Sequence, residues 1–113
     1  MGTSRSNSWR ASALVFSGRQ SPTWPLANAQ ALALIGIWNG LPATDAAMPN
    51  APALGYRGSI LDDGTGREWR VHAGVVVSTS GADIETRSDA ERRFERALLA
   101  TAPPGTIPPG IVL

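Results

Sequence analysis

Residues 54–77, LGYRGSILDDGTGREWRVHAGVVV, decide how this chain folds. Two strand-like runs, Leu54 to Leu61 and Glu68 to Val77, flank Asp62-Asp63-Gly64-Thr65-Gly66-Arg67, a turn by its composition. The second run alternates. Trp69, Val71, Ala73, Val75 and Val77 fall on one face of a strand, and Glu68, Arg70 and His72 fall on the other. In the first run Leu54, Tyr56, Gly58 and Ile60 share a face. Pairing Ile60 with Trp69 brings the two apolar sets together, and it sets Arg57 across from His72 and Ser59 across from Arg70. The expectation is a β-hairpin with one apolar face and one open polar face.

Upstream, Trp9 to Phe16 reads as a strand, and residues 17–23 read as a loop from their Gly, Ser and Pro. No charged side chain occurs from Gln20 to Thr44. Within that stretch the spacing predicts a helix over 26–41, with Pro25 at its start and Asn39-Gly40 and Pro42 at its end. Ala31-Leu32-Ala33-Leu34-Ile35-Gly36-Ile37-Trp38 is apolar almost all round, so such a helix needs cover on more than one side. In a domain this small, part of that cover can come from another chain.

Downstream, residues 43–53 read as an irregular connection and residues 78–87 as a loop. Ser88-Asp89-Ala90-Glu91 has the form of a capping box that opens a second helix, with Ala90, Phe94, Ala97 and Leu98 as its buried stripe. Pro103-Pro104-Gly105 ends that helix, and Ile111-Val112-Leu113 is a candidate short edge strand. The order is β-α-β-β-α(-β). It calls for an α+β domain in which two helices cover one face of an antiparallel or mixed sheet. Residues 1–8 are expected to be a flexible leader before a single domain over 9–113.

Composition narrows the chemistry. The chain has 113 residues and a formal net charge of +1, which gives no strong pull toward nucleic acid or acidic membranes. There is no Cys, hence no disulfide, thiolate metal site or Cys nucleophile. All ten basic residues are Arg, which removes a Schiff-base lysine and the lysine of a phosphate-binding loop. This Arg-for-Lys bias resembles that of chains from GC-rich bacterial genomes. No apolar signal region follows Met1, although Met1-Gly2 with Ser6 fits the myristoylation pattern. Pro22, Pro25 and Pro42 interrupt the uncharged stretch, so it is too short to span a bilayer. The expectation is a cytoplasmic protein without a membrane span and without a cofactor.

Two surfaces stand out as candidate sites. The first is the polar face of the hairpin, where Arg57, Ser59, Arg70 and His72 gather beside Glu68. There the arginines could grip a carboxylate or phosphate and His72 could act as acid or base. Arg19 would add charge at the loop before the first helix. This reading makes the protein a small enzyme or a binder of a small anionic ligand. The second surface is the apolar helix with Leu34, Ile37 and Trp38 as contact residues. That reading makes it a binding or assembly protein whose partner is itself or another protein. Four Trp beside arginines could stack on bases, but the near-zero net charge argues against nucleic acid.

Overall fold

The hairpin is the middle of a larger meander. The computed structural model describes residues 8–15, 21–48 and 56–107. Along the chain come β1 (Arg10–Ala13), β2 (Thr23–Pro25), α1 (Asn28–Gly40) and β3 (Ser59–Asp62). Then follow β4 (Arg67–His72), β5 (Val75–Ser80), β6 (Asp83–Ser88) and α2 (Arg93–Ala100). All strand pairs are antiparallel, in the order β2-β1-β3-β4-β5-β6. The chain is therefore an α+β domain, but with more strand than the sequence suggests.

Three differences have clear physical causes. The expected long strand 68–77 is broken at Ala73-Gly74, where both residues have positive φ. That is the geometry of a two-residue type I′ turn, and it folds Val75 to Ser80 back on β4. The expected loop 78–87 is strand instead. It continues β5, turns at Gly81, and returns as β6. Trp24-Pro25 does not open the helix. It belongs to β2, where Trp24 pairs with Ala11 and is buried. Proline is tolerated there because β2 is an edge strand. The helix expected over 26–41 lies at Asn28–Gly40. The second helix starts at Arg93, after a turn over 89–92, and not at Ser88.

The register of the hairpin also differs by one residue. Leu61, not Ile60, pairs with Trp69, and Asp62 pairs with Glu68. The loop sets this. Asp63 N–H donates to the Arg67 carbonyl and closes a three-residue connection over Gly64-Thr65-Gly66. The Asp62 carboxylate takes Gly64 N–H, and that of Asp63 takes Thr65 N–H, Thr65 Oγ–H and Arg67 N–H. Burial pushes the Asp63 carboxyl up. The bonds from Thr65 and Arg67 and the Arg67 charge outweigh it and hold the group below its ordinary range.

With this register one face of the sheet carries Ala11, Ala13, Trp24, Ser59, Leu61, Trp69, Val71, Val76 and Ser78, all buried. Ala31, Leu34 and Trp38 of α1 join the same core as Phe94 and Leu98 of α2. Both helices thus cover one face. The other face presents Arg10, Ile60, Asp62, Glu68, Arg70 and Ile84. The expectations for residues 54–55, for Arg19 and its loop, and for Ile111-Val112-Leu113 lie outside the described residues, as do most of the 1–8 leader and part of the 43–53 connection.

Candidate functional site

The one-residue change of register redistributes the expected hairpin site. Ser59 now pairs with Val71 on the core side and is fully buried. Arg70 pairs with Ile60 and Val77 on the opposite, open side, where it is exposed. Glu68 stands between Asp62 and Thr79 on that open side, four rungs from His72 at the end of β4. Arg57 lies before β3 and is half-buried, with its N–H on the Leu14 carbonyl. The sheet therefore separates Ser59 from Arg70, and the structure does not gather Arg57, Ser59, Arg70 and His72 on one face.

What it gathers instead is Tyr56, Ser59 and Glu95, with His72 alongside. The Tyr56 hydroxyl lies 2.5 Å from Glu95 Oε2 and 2.8 Å from Ser59 Oγ. Tyrosine has one proton to give, and a carboxylate only accepts, so Tyr56 donates to Glu95 and Ser59 donates to Tyr56. Burial, then the bond to Glu95, pushes the Tyr56 hydroxyl well above its usual range. The Tyr56 and His72 rings are tilted, with centroids 6.1 Å apart. Gly58 lets the segment come this close. Its φ is +112°, and a Cβ there would lie 2.7 Å from the Val71 carbonyl oxygen.

Glu95 is 0% exposed, yet its Oε1 has no hydrogen-bond partner among the described residues, and neither does His72 Nδ1. A buried, unpartnered acceptor is costly, so each such atom calls for a reason. Sequence reasoning missed Glu95. The signal was its place one residue after Phe94 and three before Leu98, within the arc of α2 that faces the core.

The apolar helix departs from its expected use as well. Leu34 and Trp38 are buried in this chain's own core, and Ile37 is half-buried against it. Trp38 is held from the edge of the sheet. The Arg87 guanidinium stacks over its ring at 4.5 Å and donates to its carbonyl at 2.8 Å. The Arg87 side chain also pairs with Glu85, and Leu41 N–H shares the Trp38 carbonyl. This closes the C-terminal end of α1, together with Ser88 N–H on the Pro42 carbonyl.

The free side of α1 is another one: Ala29, Leu32, Ala33, Gly36 and Gly40, all exposed. Leu32 is 64% exposed, and among the described residues nothing lies within 4 Å of where a Cβ on Gly36 or Gly40 would stand. Next to Gly40 a cleft of about 210 Å³ lies between Leu41-Pro42 and the turn Ser88 to Glu91. The carboxylate oxygens of Asp89 there are engaged by the N–H groups of Phe94 and Glu95 at the start of α2.

Among the described residues no three His, Cys, Asp or Glu side chains come together to hold a metal ion, and no helix is long and apolar enough to cross a membrane. The chain matches no known family model, no curated protein and no solved structure.

Proposed function

We propose that this is a small binding and assembly protein that docks through the outer side of α1. One observation carries the reading. A helix without a single charge keeps Leu32 in solvent beside a stripe of small residues, although its neighbours Leu34 and Trp38 are fully used in the core. A helix that is apolar on nearly every side is ordinarily covered on more than one of them. We place the protein in the cytoplasm, as a soluble protein of bacterial type, on its cysteine-free composition with Arg in place of Lys.

The test is Leu32→Asp, which puts a charge on the outer side without touching the core. Association of the purified chain, with itself or with a protein that co-purifies at fixed stoichiometry, is expected to fall at least tenfold while the far-ultraviolet circular dichroism is unchanged. Association identical to that of the native chain in both assays would refute the reading.

A second reading keeps the hairpin as a ligand site, moved to Tyr56, Ser59, His72 and Glu95. The unpartnered, buried Glu95 Oε1 favours it. A carboxylate oxygen accepts hydrogen bonds and repels anions, so the complementary ligand is a small donor such as an amine rather than the carboxylate or phosphate that the arginines suggest. Nuclear magnetic resonance of the His72 ring during titration with small amines and small carboxylates separates the two. Shifts with neither would remove this reading.

A further inference from the structure

We infer that the cluster of Tyr56, Ser59, His72 and Glu95, with Arg92 at its rim, is a seat for a small amino acid, which sets its ammonium group on Glu95 and its carboxylate on Arg92. This rests on the reading of that cluster as a ligand site, and it names the class of ligand.

The cluster is graded from floor to rim. Ser59 and Glu95 are fully buried, whereas Tyr56, His72 and Arg92 are only half-buried and reach the surface. His72 turns its Nδ1 inward, since that atom is buried although the residue is not. Two polar atoms of the cluster thus stand buried without a hydrogen-bond partner among the described residues, Glu95 Oε1 and His72 Nδ1. The second oxygen of Glu95 is already taken by the Tyr56 hydroxyl, which Ser59 supports in turn. The free oxygen of a carboxylate accepts, and His72 Nδ1 accepts as well when the ring carries its proton on Nε2. A group with several N–H bonds and a positive charge answers both atoms at once and compensates a buried carboxylate. A primary ammonium is such a group. No side chain of this protein supplies one, because the sequence has no Lys.

Arg92 decides between a bare amine and an amino acid. It is the N-cap residue of α2, three positions before Glu95. Burial and the bond to Glu95 raise the Tyr56 hydroxyl, and the Arg92 charge, near enough to be felt there, works against them. Among the described residues Arg92 makes no ion pair. A ligand with only an ammonium group would meet this cation with repulsion. A ligand that also carries a carboxylate turns the repulsion into a charge-assisted pair, which a guanidinium is shaped to make. The order of charges, an acid at the floor and a base at the rim, matches an amino acid entering ammonium end first. The Tyr56 and His72 rings, tilted by 56° with centroids 6.1 Å apart, flank that path. With Glu95 0% exposed, the ligand that reaches it is small.

The test compares alanine with ethylamine, which lacks its carboxylate, and with propionate, which lacks its amine. Nuclear magnetic resonance of the His72 ring follows each titration at neutral pH. Alanine is expected to bind roughly tenfold more tightly than either, the worth of one charge-assisted hydrogen bond. Arg92→Gly removes the guanidinium at a backbone φ of +59°, which glycine adopts without strain, so the fold is kept. It should bring alanine down to the affinity of ethylamine and leave ethylamine no weaker. Glu95→Gln keeps an acceptor for Tyr56 and should abolish the binding of both, with folding checked by circular dichroism. Ethylamine bound as tightly as alanine, with no effect of Arg92→Gly, would overturn the amino acid and leave the amine site standing. Propionate bound as tightly as alanine would overturn the seat on Glu95. A His72 ring that responds to none of the three would overturn the amino acid and the ligand-site reading together.

Discussion

The two helices lie on the same face of the sheet and handle their exceptions in opposite ways. α1 has no charge and almost no polar side, yet it holds Leu32 in water. α2 has three charged residues among eight and a sharply divided surface, yet it buries one of them, Glu95, completely. In each helix most residues follow the burial that the sheet imposes, and one residue goes against its own type. The exceptions teach more than the rule. A buried acid needs an internal partner, which it finds in Tyr56. The exposed leucine finds no cover among the described residues.

The comparison breaks most easily at the core. Leu34 of α1 and Leu98 of α2 are equally buried, so either change to Ala is expected to cost roughly 2–5 kcal/mol, against less than about 0.5 kcal/mol for Leu32→Ala. Urea unfolding of the three variants, followed by the fluorescence of the buried tryptophans, measures this. A Leu32→Ala loss as large as that of Leu34→Ala would mean that the outer side of α1 is covered within the chain itself, and the contrast between the helices would vanish.

The next effect concerns Glu95. Tyr56→Phe removes the only donor to its carboxylate among the described residues and is expected to cost about 1–3 kcal/mol. Adding Glu95→Leu should recover much of that loss, because an apolar pair leaves no buried carboxylate unsatisfied. The pH dependence has a definite sign. The Tyr56 hydroxyl is raised above its ordinary value of about 10, by burial first and then by the bond to Glu95. Its contribution to stability is therefore complete below pH 10 and is lost as pH climbs from 10 toward the folded-state value. Thermal melts of the native chain should fall above pH 10, and those of Tyr56→Phe should fall less. Parallel curves for the two would show that Tyr56 is not the group responsible.

Much of this was legible in the chain, and the failures have a common origin. The α+β class, the position of α1 and the hairpin turn follow from periodicity and from Asp-Asp-Gly-Thr-Gly. The Ala73-Gly74 turn was hidden because alternation runs straight through it and alanine gives no turn signal, although here it takes a φ of +50°. β6 was hidden because Asp83, Glu85, Thr86 and Arg87 look like a loop, and an edge strand with no fully buried residue has no alternating burial pattern to show. The register turned on the length of one loop. A three-residue connection in place of an even one moved Ser59 and Leu61 inward and Ile60 outward. Everything said of the hairpin as a site depended on that count. Asp and Gly composition announces a turn but does not fix its length. The outer side of α1 was readable only as a surplus of apolar residues. Which of them the chain itself would cover depended on Arg87, 49 residues from Trp38 and on a strand that the sequence did not announce.

The smallest effect sharpens the contrast at the helix starts. α2 is capped from a distance by Asp89, whose two oxygens accept from Phe94 N–H at 3.1 Å and Glu95 N–H at 3.1 Å. α1 begins after Ala27, which has the extended backbone of a cap residue but no side-chain oxygen to offer. Half of a capping box is already in place, since Gln30 Oε1 accepts from Ala27 N–H at 2.9 Å. Ala27→Ser would complete it by accepting the Gln30 N–H in return. The expected gain is about 1 kcal/mol, whereas Asp89→Ala should lose up to about 2 kcal/mol. Ala27 is exposed, so the change leaves the core untouched, and urea unfolding of both variants beside the native chain measures the contrast. An Ala27→Ser variant no more stable than the native chain would show that the start of α1 is satisfied without a side-chain oxygen.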